Sequence, residues 1–279
     1  MAKRRVGLVL ARASQVLGEE PYYHEFIEGL ERVLTPAGIS VLVTVVTDRD
    51  AEKSTYRRWS AGQLVDGVIM VDLSPGDDRV GLVRRLGLRA VVIGDPSTAG
   101  GLPTVWTDDA GFAREVVRFL AERGHVVLGH VSGPRRLAHT QLRSGGFAIE
   151  AAARGLRVIS VEGDYSQEHG RAVTGQLLTS GPMRPTAMVY DNDLMALGGL
   201  DAIRDHGLRV PDDLSVVAWD DSAQCQLAVP ALSAMSHDVS RVGEIAGQAV
   251  LDTLRGDTPA DVYEAPRAHV VERDTTVKE

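Results

Sequence analysis

The chain has 279 residues, 44% of them hydrophobic and 24% charged, with a net charge of −8. That is the make-up of a globular protein of one or two domains with a substantial core. The acidic balance argues against this chain gripping a phosphate backbone by itself, because non-specific nucleic-acid affinity comes mostly from Lys and Arg. Lys3-Arg4-Arg5 and the pairs Arg57-Arg58 and Arg135-Arg136 read as solvated surface. The single cysteine, Cys225, excludes an internal disulfide and a thiolate metal cage. Val6 to Ala11 is too short for a signal core or a membrane span, so the chain is expected to be cytoplasmic.

In chain order, Arg5 to Leu10 reads as a strand and Tyr23 to Leu34 as a helix. Ile39 to Val46 is a buried strand, followed by a polar helix from about Asp50 to Gln63. Gly67 to Val71 and Ala90 to Gly94 continue the series, with a helix between them. Apolar, β-branched runs separated by helices indicate parallel strands covered on both faces. The pattern then restarts. Asp109 is a plausible N-cap for a helix with Phe112, Val116, Phe119 and Leu120 on one face, and Gly124 stops it. Strands follow at Val126 to Val131, Arg157 to Val161, Ala187 to Tyr190 and Leu214 to Ala218. Helices fall at Gln141 to Arg154, Gln167 to Leu178, and from Asn192 to Gly207. Two successive series of this kind predict an α/β protein of two doubly wound lobes.

Ligands of open α/β sheets bind beyond the carboxyl ends of the strands. Tyr22 and Tyr23 follow the first strand. Asp72, Asp95, Ser132, Tyr165, Asp191-Asn192 and Asp220-Asp221 follow later ones. Acceptors and aromatics with one or two Arg donors would suit a polyhydroxylated ligand, since carboxylates accept pairs of hydroxyls and aromatic faces stack on C–H surfaces.

At this point the sequence resembles the effector-binding core of LacI/GalR-type transcriptional regulators, a fold of periplasmic binding protein-like type I. The resemblance covers essentially the whole chain. It is carried by Met195-Ala196-Leu197-Gly198, Gly207-Leu208-Arg209-Val210-Pro211, Asp220-Asp221 and Pro230-Ala231-Leu232-Ser233. Gly124-His125, Gly133-Pro134, Arg143 with Gly146-Phe147, Arg184-Pro185-Thr186-Ala187 and Arg273-Asp274-Thr275 add to it. It implies three crossovers, with a first lobe of about 1–107 plus 239–256 and a second of 108–237 plus about 261–279. It implies an effector between the lobes, probed by Arg143 as gripping cation, Asn192 and Asp220 as polar contacts, and Tyr165 as packing aromatic. Tyr22 or Tyr23 would be the first-lobe contact, with Asp72 at its strand end. It further implies a homodimer built on the helices at 23–34, 50–63 and 79–86. Two departures stand out. The family often has Asp-Asn at the first crossover, where this chain has Thr107-Asp108, which puts a ligand role there in doubt. The chain also opens directly into a strand, so operator DNA would be reached only through an N-terminal head that these residues do not contain.

Other chemistries find little support. Asp191-Asn192-Asp193 lacks the glycine and closing glutamate of a calcium loop, and capping a helix is its alternative role. Adjacent residues on an extended chain point to opposite sides, so Asp220-Asp221 is not a facing acid/base pair; Asp221 reads as a turn residue and helix cap. The eight histidines show no HExxH spacing, and no nucleophile elbow, Walker loop or dinucleotide fingerprint is present. The chain is therefore expected to be a non-enzymatic sensor of a small molecule, most simply a sugar, with no metal and no cofactor. A sugar-binding transporter component and an enzyme on the same scaffold are the alternatives. A leader peptide would mark the first, turnover of a bound sugar the second.

Overall fold

A computed structural model of the chain describes residues 4–11, 21–179, 184–256 and 259–277. The elements run β1 (Arg4–Ala11), α1 (Pro21–Leu34), β2 (Ile39–Val46), α2 (Arg49–Ala61), β3 (Gly67–Met70), α3 (Asp78–Arg85), β4 (Arg89–Ile93), α4 (Pro96–Ala99) and β5 (Thr104–Trp106). They continue with α5 (Asp109–Glu122), β6 (Val127–Ser132), α6 (Ala138–Ala153), β7 (Arg157–Glu162), α7 (Gln167–Thr179), β8 (Ala187–Tyr190), α8 (Asp193–Asp205) and β9 (Ser215–Trp219). The last are α9 (Ala223–Leu227), β10 (Ser233–Ser236), α10 (Val239–Arg255), β11 (Val262–Glu264) and β12 (His269–Val271).

The chain divides into two units. The first takes the residues up to Thr107 with Asp238–Pro266, and the second takes Asp108–His237 with the residues from Arg267 on. The first unit's sheet has the order β11-β5-β4-β3-β1-β2, with every pairing parallel. The second unit's has the order β12-β10-β9-β8-β6-β7, parallel except where β12 runs against β10. Each unit is thus an α/β doubly wound layer structure. β3, β8 and β9 are buried throughout their length, whereas Ile39–Val46, expected to be a buried strand, is the edge strand β2 and exposes Val43 and Val45 because no neighbour covers that side.

Three further expectations need correction. The N-cap of α5 is Asp108, whose side chain accepts from the Gly111 N–H at 2.9 Å; Asp109 is already helical and its carboxylate is free for a tertiary contact. Asp221 does not cap α9, because its carboxylate is gripped by both guanidinium nitrogens of Arg273, at 2.7 and 2.9 Å. The stretch from about 261 was assigned to the second lobe, but Val262–Glu264 pairs with β5 and so belongs to the first unit.

In the first unit α10 lies against α1 at backbone distance. A Cβ on Gly243 would fall 2.2 Å from the Phe26 carbonyl oxygen, a rigid backbone atom. Around this contact Phe26, Leu30, Leu34, Val242, Ala246 and Val250 form the core with the β1 residues Val6, Leu8 and Leu10. Overpacking such a contact costs about 1–3 kcal/mol. Gly243→Ala should therefore lower the free energy of unfolding by about that amount, even though alanine favours helix, as urea denaturation would show. An unchanged midpoint would mean that the two helices can part freely.

Candidate functional site

The polar groups of the second unit gather on the peptide that leaves β8. The Asp191 carboxylate is fully buried. One oxygen meets His130 Nε2 of β6 at 2.9 Å, and the other accepts from the Gly133 N–H at 2.9 Å. Its main-chain carbonyl accepts from Arg143 Nη1 at 3.1 Å. Burial pushes this carboxyl up, but His130, Arg143 and the Gly133 N–H together hold it below the usual range. Asn192, the next residue, caps α8 by accepting from the Met195 N–H at 3.0 Å. Its amide nitrogen donates to the Tyr165 carbonyl at 2.9 Å.

Arg143 projects from α6. Its Nε donates to Asp109 at 2.7 Å, and its guanidinium carbon sits 4.1 Å from the centroid of the Trp219 ring. This stacking is the geometry of a cation–π contact. Burial works against the charge, but Asp109, Asp191, Tyr165 and Asp220 outweigh it and keep the guanidinium above its ordinary pKa. The phenol of Tyr165 meets His139 Nε2 at 2.8 Å and lies on Gly133, where a Cβ would fall 2.1 Å from the hydroxyl oxygen. Only glycine permits that approach. Asp220 follows β9, and His237 Nε2 lies 3.3 Å from its Oδ1. Burial, helped by the Arg143 charge, pushes His237 down to about 3. The ring is therefore neutral near pH 7, and the contact is a dipole on a carboxylate rather than an ion pair.

In the first unit the Tyr23 hydroxyl donates to Asp72 at 3.2 Å. Tyr22 meets Tyr23 edge-on at 5.2 Å and stacks with Phe26. Tyr23 is itself a core residue, so its ring is committed to packing. The Asp72 backbone is fixed from behind. Arg79, buried, donates to its carbonyl at 3.0 Å, to Glu52 at 2.6 Å and to both oxygens of Asp77, and Arg49 donates to the same carbonyl. Burial raises Glu52 to about 7 despite a hydrogen bond from Tyr56 and the charge of Arg49.

Four non-glycine residues among those described have left-handed backbones: Gln63, Asp72, Tyr165 and Asp220. Three of the four are candidate site residues. Such conformations cost energy and persist where the surroundings enforce them, which is often at binding sites.

Of the residues singled out in the sequence, Arg143, Tyr165, Asn192 and Asp220 belong to one connected array in the second unit. Tyr22, Tyr23 and Asp72 form a separate cluster in the first. Sequence reasoning missed Asp109, which answers the Arg143 charge, and the core residue Trp219, whose ring carries the guanidinium. It also missed the buried partnership of His130 with Asp191. A histidine inside the strand run VVLGHV was the available signal. Among the described residues, no group of three or more His, Cys, Asp or Glu could hold a metal ion, and no helix is long and apolar enough to cross a membrane.

Comparison with known proteins agrees with this architecture. Residues 117–276 match the family described as periplasmic binding protein-like domain. The HTH-type transcriptional repressor PurR of Yersinia pestis (strain Pestoides F) is 30% identical over 241 residues, covering 85% of this chain and 70% of that protein. The crystal structure of a LacI family transcriptional regulator from Bifidobacterium animalis subsp. lactis DSM 10140 is 34% identical, covers 99% of this chain and 98% of its own, and superposes with a TM-score of 0.89. The transcriptional regulator CelR, solved as a complex with cellobiose, is 25% identical, covers 99% and 86%, and also gives 0.89. The chain belongs to the LacI family of transcriptional regulators. Its relatives are regulators, not enzymes.

The depressed His237 pKa sets a pH dependence. An unfolded histidine takes up a proton near pH 6.5, whereas the folded ring does so only near 3. The folded state thus gains its full stability from this group above 6.5 and loses it as pH falls toward 3. Between pH 7 and 5 the loss is about 2 kcal/mol. His237→Gln should flatten the fall in melting temperature over that interval, and parallel curves for the two proteins would show that His237 is protonated in the fold.

Proposed function

We propose that this chain senses an uncharged, polyhydroxylated small molecule, a sugar, and passes its occupancy to DNA-binding heads N-terminal to it in a homodimer. The observation that carries the choice of ligand is the Asp109–Arg143 ion pair stacked on Trp219. A guanidinium already matched by a carboxylate has no unspent charge for a phosphate, but it still offers N–H donors to hydroxyl oxygens. Asp220 supplies a carboxylate that accepts paired hydroxyls, Tyr165 supplies the aromatic, and the buried Trp219 backs the guanidinium. Asn192, with both ends of its amide engaged, acts by holding Tyr165. In the first unit Tyr22 and Asp72 stand as separate candidates for a polar contact, with the Tyr23 ring committed to packing and its hydroxyl to Asp72. The cellobiose bound by the CelR relative supports this choice of class.

The sensor reading places the protein in the cytoplasm, where its operator lies. A ligand biases the equilibrium between two arrangements only through its differential affinity for them. Its effect on DNA then follows from the spacing of two heads on half-sites. To the first-unit helices expected as the dimer interface, this reading adds Leu227, the last residue of α9, and Val229, which are 81% and 89% exposed.

A thermal-shift panel of neutral mono- and disaccharides, cellobiose among them, and their phosphates tests the ligand class. A ligand at a hundredfold its Kd adds about 2.7 kcal/mol of stability. A shift is expected from a neutral sugar, lost in Arg143→Ala and in Asp220→Ala. A preference for phosphorylated sugars, or undiminished affinity in both variants by calorimetry, would defeat the assignment. Light scattering tests the assembly: the chain should be dimeric, and Leu227→Asp combined with Val229→Asp should raise the dissociation constant at least tenfold. A monomeric parent would remove the dimer from the proposal.

A further inference from the structure

We propose that His130 is a positioning residue for the ligand array, setting the place of Arg143 and of the glycine beneath Tyr165 through its bond to Asp191. The proposal rests on the assignment of Arg143 and Tyr165 to the effector made above. β6 is otherwise a strand of apolar and small residues buried along nearly its whole length, and an aliphatic side chain would serve its packing. His130 is instead a fully buried polar ring, and its partner is a fully buried carboxylate. Burying such groups is costly unless they are bonded, so packing alone does not account for them. Buried ionic or polar pairs often add little net stability and act by fixing one geometry.

The geometry that this pair fixes can be followed outward. The imidazole stacks on Phe147 at 4.2 Å between centroids and 21° between planes. Phe147 lies one helical turn beyond Arg143 on α6, on the same face. The face of the ring therefore registers the helix that carries Arg143. Its Nε2 edge holds the Asp191 carboxylate. The same residue's carbonyl receives Arg143 Nη1, and its second carboxylate oxygen receives the N–H of Gly133, on which the Tyr165 hydroxyl rests. His130 thus stands behind both the cation and the aromatic of the array, although it touches neither. Among the described residues its Nδ1 has no hydrogen-bond partner, so the ring's one polar tie there is to Asp191.

The test is ¹H–¹⁵N NMR of the ligand-free chain, read at two side-chain signals. One is the Arg143 Nε–H, identified by its loss in Arg143→Lys; the other is the Trp219 indole N–H, identified by its loss in Trp219→Phe. In His130→Leu both signals should move or broaden. His130→Asn, whose amide is too short to reach Asp191, should do the same. His130→Gln, whose amide nitrogen falls near the Nε2 position, should return both toward their original places. Unmoved signals in a folded Leu or Asn variant, or a Gln variant displaced as far as the other two, would overturn the proposal and leave His130 as a core residue. Should His130→Leu not fold, the Asn and Gln pair decides the matter. Because no ligand is added, the result is independent of the effector reading. If Arg143→Ala binds sugar normally, that reading fails while the coupling of His130 to Arg143 stands or falls by the spectra.

Discussion

Burying the Asp191 carboxylate is the constraint from which the second unit's strand-end geometry follows. A carboxylate removed from water needs donors on every side, and it draws them from one segment far from it in sequence: His130 of β6 and Gly133 of the loop beyond it. Its carbonyl then anchors Arg143 of α6. The next residue, Asn192, both starts α8 and ties down the Tyr165 carbonyl. Two consecutive residues after β8 therefore fix a cation, an aromatic and a helix start. Little is left to the rotamer preferences of exposed side chains, so the ordering entropy of the array is met by the fold before any ligand arrives.

The first unit solves the same problem with different residues. There the strand-end acid is Asp72, held in a left-handed backbone conformation with φ near 55°. Its carbonyl receives Arg79 and Arg49, as the Asp191 carbonyl receives Arg143. Behind Arg79 lie Glu52 and Asp77, a buried ionic cluster whose removal one member at a time would strand a charge. Tyr165 and Asp220 carry the same kind of strain in the second unit, with φ of 73° and 68°. For a tyrosine such a conformation is a genuine outlier. It is maintained here by bonds at both ends of the residue, to Asn192 at the carbonyl and to His139 at the phenol.

What could be read from the sequence was local. Continuous apolar runs marked β1 to β4 and β6 to β9 to within a residue or two, whereas the short parallel strands β5, β10 and β11 carry too few apolar residues to be read. Glycines after α5 and α8 marked helix ends, because a left-handed residue there costs glycine least. Helix starts were less legible. Asp108 and Asp109 are interchangeable as caps on paper, and only the turn geometry chooses the first. The start of α6 at Ala138 came before the sequence estimate because its cap position, Leu137, has no capping side chain. Strand-end placement drew attention to Asp72, Tyr165, Asn192 and Asp220, but not to what each does. That Asn192 spends its amide on Tyr165, that Asp221 belongs to Arg273, and that Asp109 meets Arg143 are facts about pairs 27, 52 and 34 residues apart. No periodicity or spacing rule encodes contacts at such separations, and the resemblance to a family supplied roles without supplying partners.

The pairing of Arg143 with Asp109 also bears on what kind of recognition this array can perform. An arginine alone in a buried site attracts anions, and its desolvation would be relieved by a phosphate or carboxylate on the ligand. Here Asp109 satisfies the Nε edge, the Asp191 carbonyl takes Nη1, and Trp219 covers one face. Further negative charge comes from Asp191 and Asp220, while His237, pushed down to about 3, adds no cation near neutral pH. An incoming anion would meet a field that is already acidic, with a single guanidinium whose charge is spent. A neutral polyol meets no such penalty. It would exchange its hydroxyls' hydrogen bonds with water for bonds to preplaced donors and acceptors. Discrimination by that route depends on matching positions rather than on charge. An array whose members are fixed by buried partners, rather than by the ligand itself, is the form such discrimination requires.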